Sequence, residues 1–501
     1  MSDLLSHEEY LSLAASLSPP VNPYIDGHFV EPKSCERFDT INPATGEVIA
    51  RVASCNSEDV EHAVAKAREA FDHGGWRTMA PADRKEVLIR LAKIMKRHRH
   101  ELAVMESLDS GKPIRDCAEI DMPEAINTLI WHAEAIDKIY DQTAPAQPDS
   151  LAMIVREPIG VVACILPWNF PLLMLAWKIG PALAAGNSVI VKPAEQTSLT
   201  ALRIAELALE AGVPRGVLNV VTGFGDQVGE PLGRHPDVDM VSFTGSTETG
   251  RRFLNYSADS NLKKVVLECG GKNPAVVLND AEHLDQVAAH VVEAAFWNMG
   301  ENCSAASRLI VHESVKTKLL DLILVHIRDW PVGDPLDPRN RLGCLIDEVH
   351  FSKVSGYLQD IGTARIIVGG ETENGRYVMP TVVDEVDVAS ALAREEIFGP
   401  VLSVITVSSF EEAIKVANDT DYGLTASIFT ANNRKAIRAA REIKAGTVTI
   451  NCYGEGDIST PFGGYKQSGF GGRDNSIYAH DQYTELKTIW IDLSDPLPET
   501  L

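Results

Sequence analysis

The stretch NSVIVKPAEQTSLTALRIAELALEAGVPRGVLNVVTGFG, Asn187 to Gly225, decides the fold class. It opens on a short β-rich run. Leu199–Ala211 follows, with apolar residues at Leu202, Ala205 and Leu209 on the spacing of an amphipathic helix, and a second β-rich run, VLNVVTGFG, closes it. The same alternation continues outward through GVVACILPW, MVSFTG and KKVVLEC. Strands alternating with helices predict βαβ crossovers in a parallel sheet, a doubly wound α/β architecture. Ligands of such folds bind at the carboxyl ends of the strands.

A second series begins near Gly270. AVVLNDA precedes a predicted helix over Asp285–Met299, with Val287, Ala288, Val291, Val292, Ala295 and Phe296 on one stripe. RLIVHE, a helix around Val315–Arg328, RIIVGG, VLSVITV and SIFTA continue it, so a boundary is expected near residue 268. The C-terminal TELKTIWIDL is β-rich without an evident hairpin partner. It is expected to add to another subunit's sheet edge, which implies an oligomer.

At 501 residues the chain is long for one core, so two or three domains are expected. The net charge of −24 argues against nucleic acid and anionic membranes, which demand basic patches. The acidic N-terminus resembles neither a secretory signal nor a transit peptide. The apolar run Val161–Trp177 is broken by Pro167, Asn169 and Pro171 and followed by Lys178, so no membrane helix is expected. Eight scattered cysteines form no CxxC pair, which predicts reduced thiols in the cytoplasm and neither a metal site nor a disulfide framework.

Several polar residues stand where chemistry is possible. GSTETG, Gly245–Gly250, joins a strand to a helix, where glycines admit a close ligand and the helix N-terminus favours pyrophosphate. A tight turn explains the same glycines, and the spacing departs from GxGxxG; GFGDQVG, Gly223–Gly229, is equally ambiguous. Lys192 and Glu195 end another strand, where they either grip ribose hydroxyls or form a solvated helix start. Glu268 closes an apolar strand, which suits a general base with a raised pKa or a paired structural carboxylate. A buried cysteine is ordinarily inert packing, and the polar, small neighbours Asn302, Ser304 and Ala305 cut against that reading for Cys303. Asn169, hemmed by prolines in PWNFP, can donate to an oxyanion.

PWNFP, KPAEQT, FTGSTETG, LECGGKNP, GENCSAASR, EEIFGPV and PFGGYKQSG occur in this order. From Tyr24 to the C-terminal strand the chain resembles the NAD(P)-dependent aldehyde dehydrogenase superfamily. The resemblance implies a Rossmann-like NAD-binding domain (1–140 and 159–268), an α/β catalytic domain (269–470) and a β oligomerisation arm (141–158 and 485–501) in a homodimer or homotetramer. It implies that Cys303 is the nucleophile, with Asn169 in the oxyanion hole and Glu268 activating water. Lys178 and Asp474 match a Lys–acid proton path, although SGFGGRD carries one glycine more than the usual SGxGR(E/D). Ile165, Trp168, Lys192, Glu195, Gly225, Gly245, Ser246, Thr249, Gly250, Glu396 and Phe398 match cofactor positions, and Glu195 favours NAD over NADP.

Phe170 and Trp177 match aromatic positions of the substrate tunnel. Asp121 and Glu124, three apart and on one face if helical, fall at the tunnel mouth, and Glu455 and Asp457 in its capping loop. Carboxylates there attract an amine or guanidinium, or are ordinary solvated charges. The tail from GDISTPFGG onward resembles the branch that oxidises γ-glutamyl-γ-aminobutyraldehyde, 4-guanidinobutyraldehyde and simpler ω-aminoaldehydes in polyamine and arginine catabolism. The competing readings are a generic aliphatic or aromatic aldehyde dehydrogenase, a CoA-acylating relative, a non-catalytic relative and a cysteine hydrolase. Relatives of the second kind typically lack the Glu at 268, the third would lose Cys303 or Glu268, and the last needs a histidine motif near Cys303 that is missing.

Overall fold

The computed structural model describes residues 4–373, 375–454 and 456–494. The crossovers read from Asn187–Gly225 belong to a sheet with five parallel central strands: β1 (Val161–Ile165), β2 (Ser188–Lys192), β3 (Leu218–Val220), β4 (Met240–Thr244) and β5 (Lys264–Glu268). Their spatial order is 3-2-1-4-5. All of β1 and β2 is buried, as parallel strands covered by helices on both faces must be. The strand order reverses between β1 and β4, so the chain leaving their carboxyl ends diverges and opens a crevice.

A second sheet comprises β6 (Pro274–Val277), β7 (Arg308–His312), β8 (Arg365–Val368), β9 (Thr381–Asp384), β10 (Val401–Val407), β11 (Thr425–Phe429) and β12 (Thr447–Ile450). The order is 8-9-10-7-6-11-12, and β8 alone pairs antiparallel. The change of sheet falls between Glu268 and Pro274, where the sequence predicts a boundary. The short strand Gly469–Phe470 returns to pair with β5, placing Gly469 opposite Glu268. This return brings the segment around Asp474 beside the first sheet.

The helix predicted over Asp285–Met299 ends at Phe296. Asn298, Met299 and Gly300 take positive φ angles of 55°, 57° and 68°, which no α-helix tolerates. A Cβ on Gly300 would stand 2.2 Å from the Gly399 carbonyl oxygen, so this position demands glycine. The reversal swings the chain toward the first sheet and delivers Cys303 there.

The C-terminal strand has a sheet partner within the chain. Thr484–Asp492 pairs antiparallel with Ser150–Pro158 of the same chain, from Thr484↔Pro158 to Asp492↔Ser150. Gln142–Ala144 adds a third strand. The partner is in the chain but remote in sequence, so no turn signal announces it. Residues 495–501 lie outside the described residues. Leu486 and Trp490 on this sheet are 65% and 61% exposed. No described helix is long and apolar enough to cross a membrane.

Candidate active site

A cavity of about 190 Å³ opens where the crevice of the first sheet meets the loop before β7. Asn169, Phe170, Trp177, Glu268, Cys303 and Asp474 line one part of it, and Trp168, Gly245, Ser246, Glu396 and Phe398 the other. Residues scattered over more than 300 positions thus line one cavity.

Cys303 is half-buried in a loop held from two sides. The buried Asn273 amide donates to the carbonyl oxygens of Cys303 (2.7 Å) and Ala305 (3.0 Å), while its own oxygen accepts from the Thr425 N–H. The Asn302 oxygen accepts from the Ser304 N–H (3.0 Å) and hydroxyl (2.9 Å). Asn169 lies just ahead of the helix Pro171–Ala185, whose first proline presets the helical φ. One Asn169 amide hydrogen goes to the Glu301 carbonyl at 3.0 Å, leaving the other for the cavity. Asn298 donates to the carbonyls of both Asn169 and Glu301, which locks the nucleophile loop to the amide opposite it.

Glu268 ends β5 inside the protein, 5% exposed. Burial holds its pKa well above the ordinary carboxyl range, and the neighbouring Asp474 pushes the same way, against Lys178 and Arg473. Lys178 donates to the Ser242 hydroxyl at 3.1 Å and lies 3.9 Å from Asp474. Tyr483 donates to the same hydroxyl at 3.0 Å. Ser242 and Tyr483 carry no motif and escape a sequence reading. Asp474 is held through its backbone, whose N–H and carbonyl bridge Phe462 at 2.8 and 2.7 Å, and the nearby Gly471 takes φ 86°.

At the cofactor side, Lys192 ends β2 and reaches Glu195 at 3.1 Å. Ile165 ends β1 with its side chain in the core. Ser246 caps the helix Thr247–Ala258, accepting from the Thr249 N–H at 3.2 Å and donating to the Thr249 hydroxyl at 3.0 Å. Gly225 opens a single turn, with free space where a Cβ would stand. Gly250 faces the sheet, where a Cβ would lie 3.2 Å from the Cys269 sulfur, so helix–strand packing accounts for this glycine. Glu396 accepts from the Gly271 N–H at 2.7 Å. A Cβ on Gly270 would approach the Glu396 carboxylate to 2.0 Å. The Phe398 ring meets Trp168 edge-on at 5.3 Å, and His350 Nε2 donates to the Phe398 carbonyl oxygen at 2.6 Å. His350 and Lys353, which donates to the Glu396 carbonyl, were not legible because they come from a separate helix.

These groups fit a dinucleotide. The Glu195 carboxylate, held through one oxygen, suits vicinal ribose hydroxyls, the amides opening the helix Thr247–Ala258 suit a pyrophosphate, and Glu396 stands beside the cavity for a second ribose.

The substrate side is aromatic. Phe170 packs on Trp297 at 5.3 Å, and Trp177 on Phe462 at 5.3 Å. Asp121 requires correction. It ends a π-turn, Cys117–Asp121, is 1% exposed and forms a 2.5 Å ion pair with the buried Lys112, so it does not face the tunnel mouth. Glu124 points elsewhere, exposed on the helix Met122–Ala135. Its pKa is raised by partial burial and then by Asp457 and Asp121, so the exposed Glu124 and Asp457 share one negative field. Glu455 lies outside the described residues. In the same loop Tyr453 accepts from the Asn302 amide at 3.1 Å, a contact no motif announces.

The family model for the aldehyde dehydrogenase family matches residues 29–489. The chain belongs to the aldehyde dehydrogenase family. This aldehyde dehydrogenase is 65% identical over 496 residues to the aminoacetaldehyde dehydrogenase of Pseudomonas aeruginosa, covering 99% of this chain and 100% of that one. Its fold matches the γ-glutamyl-γ-aminobutyraldehyde dehydrogenase of Burkholderia cenocepacia with a TM-score of 0.96 at 47% identity, over 98% and 100% of the two chains. It matches equally a P. syringae AldA indole-3-acetaldehyde dehydrogenase variant solved with NAD+ and IAA, with a TM-score of 0.97, 47% identity and the same coverage. The aldehyde dehydrogenase fold and an oxidoreductase chemistry on aldehydes therefore replace the structural and hydrolase alternatives.

Proposed function

We propose that this enzyme oxidises an ω-aminoaldehyde to the corresponding acid, with NAD as acceptor, through a thioester on Cys303. The carrying observation is the cavity in which Phe170, Trp177, Trp297 and Phe462 surround Asn169, Glu268 and Cys303, and the exposed Glu124 and Asp457, which share one negative field, are its proposed rim. The aromatic walls suit the aldehyde's methylene chain, and the rim suits a cationic far end. The names of the Pseudomonas and Burkholderia relatives support the same substrate class.

The Cys303 thiolate adds to the aldehyde carbonyl, and the free Asn169 amide hydrogen with the Cys303 N–H holds the resulting oxyanion. A bound NAD would supply the acceptor for the hydride that leaves as that oxyanion collapses to the thioester. Glu268 then takes a proton from water as its oxygen attacks the thioester, releasing the acid and the thiolate. Lys178 and Asp474 pass that proton onward. Glu195 supports NAD over NADP, because a carboxylate repels a 2′-phosphate. The division into cofactor domain, catalytic domain and arm follows the two large sheets and the small one. The exposed Leu486 and Trp490 on the arm support a homodimer or homotetramer, and the charge and reduced cysteines support a cytoplasmic enzyme.

NADH formation from 4-aminobutyraldehyde or aminoacetaldehyde, compared with hexanal, tests the substrate. A preference for the cationic aldehydes that shrinks in Asp457→Asn and Glu124→Gln supports the proposal. Hexanal turned over equally well refutes the substrate class while leaving the chemistry.

A further inference from the structure

The one departure from the family motif, the additional glycine of the Gly471–Gly472 pair in SGFGGRD, has a structural counterpart in Gln482. This side chain is 3% exposed, at the end of the helix Ser476–Gln482. Its amide nitrogen donates to Asp474 Oδ1 at 3.2 Å and to the Arg473 carbonyl at 2.5 Å. Both partners are acceptors, which fixes the amide orientation. Gln482 Oε1 is buried without a hydrogen-bond partner, as is Asp474 Oδ2, the oxygen 3.9 Å from Lys178. A Cβ on Gly472 would stand 2.2 Å from Gln482 Oε1, so any residue but glycine there expels the amide from this position. On its other side Gln482 borders an open cavity of about 520 Å³, shared with Lys264, Arg473 and Tyr478.

We infer that Gln482 is a positioning residue for thioester hydrolysis: it holds Asp474 by one oxygen so that the other faces Lys178, and Gly472 exists to admit it. The inference rests on the proposed Glu268–Lys178–Asp474 proton path. A polar atom buried without a partner is costly, and fold stability alone would favour an apolar residue at 482. The amide is retained for what its nitrogen holds. Because Asp474 acts after hydride transfer, loss of Gln482 slows release of the acid without slowing formation of NADH in the first turnover.

The test compares Gln482→Leu and Gly472→Ala with Asp474→Asn, using NAD and 4-aminobutyraldehyde. Three readouts are needed: the NADH rate with enzyme in excess, the rate under multiple turnover, and the mass of acid-quenched protein. Loss of one hydrogen bond predicts a roughly fivefold to tenfold slower multiple turnover. The single-turnover rate stays unchanged, and acyl-Cys303 accumulates in both variants. Multiple turnover within twofold of wild type in Gln482→Leu, with Asp474→Asn slow, overturns the role of Gln482 alone. Multiple turnover unchanged in Asp474→Asn overturns the proton path on which it rests. Single and multiple turnover falling together, with no acyl-enzyme, makes Gln482 a packing residue. Should Gln482→Leu not fold, Gly472→Ala decides by the same readouts, since it displaces the amide without removing it.

Discussion

The Tyr453 hydroxyl accepts a hydrogen bond from the Asn302 amide at 3.1 Å, tying the segment after β12 to the residue preceding the nucleophile. Asn302 in turn holds Ser304 on the far side of Cys303. Tyr453→Phe removes this bond and the 3.5 Å contact between the Ser304 and Tyr453 hydroxyls while keeping the ring, so kcat should fall at least roughly fivefold, the equivalent of about 1 kcal/mol, with KM for NAD unchanged. Steady-state kinetics at saturating NAD check this.

The pH profile should report Glu268. As the base it acts only when ionised, and its pKa is raised, so multiple turnover should rise with pH across a limb well above the ordinary carboxyl range. Asp474 contributes to the raising, so Asp474→Asn should move that limb to lower pH. Lys178 opposes it, so Lys178→Met should move the limb higher. Measured pH–kcat curves for the three proteins give the signs.

Lys112 and Asp121 form a buried ion pair, and the Lys112 ammonium lies 3.9 Å from the centre of the Phe170 ring. Removing one partner strands the other charge, so Lys112→Met should cost about 3–5 kcal/mol in denaturant unfolding. Asp121→Asn should likewise destabilise the fold, yet leave the ratio of kcat/KM for cationic and neutral aldehydes near that of wild type. A selective loss on cationic aldehydes would return Asp121 to the substrate site.

Glu106 is buried, accepts from the Leu172 N–H at 2.9 Å and has its pKa pushed up to about 8, chiefly by burial. The folded state therefore favours its protonated form. That contribution is complete below about pH 4.5, the unfolded value, and is lost as pH rises toward 8. Glu106→Gln keeps an acceptor for Leu172 and removes the titration. Its Tm should exceed that of wild type at pH 8.5 and converge with it near pH 5. Asp109 and Asp116, both pushed up to about 7, leave a residual slope.

Gly270→Ala would place a methyl group 2.0 Å from the Glu396 carboxylate. The carboxylate must move, so KM for NAD should rise about tenfold, on the order of 1–1.5 kcal/mol for one displaced ribose contact, with the fold intact. NADH kinetics at varied NAD measure it.

Periodicity alone determined the crossover class of this chain, because burial on both faces leaves strands no polar alternation and helices a single apolar stripe. Short motifs determined which side chains carry chemistry, because a nucleophile, an oxyanion donor and a base are confined to few residue types. Tertiary structure decided where Asp121 points: one residue of rotation in a π-turn buries a carboxylate that an ideal helix would expose beside Glu124. It also decided that Thr484–Asp492 pairs with Ser150–Pro158, a register set by contacts remote in sequence. Asn273, Ser242 and Tyr453 hold the catalytic groups or their neighbours through hydrogen bonds between segments at least 30 residues apart. Such bonds follow from three-dimensional proximity, which no local pattern of residues encodes.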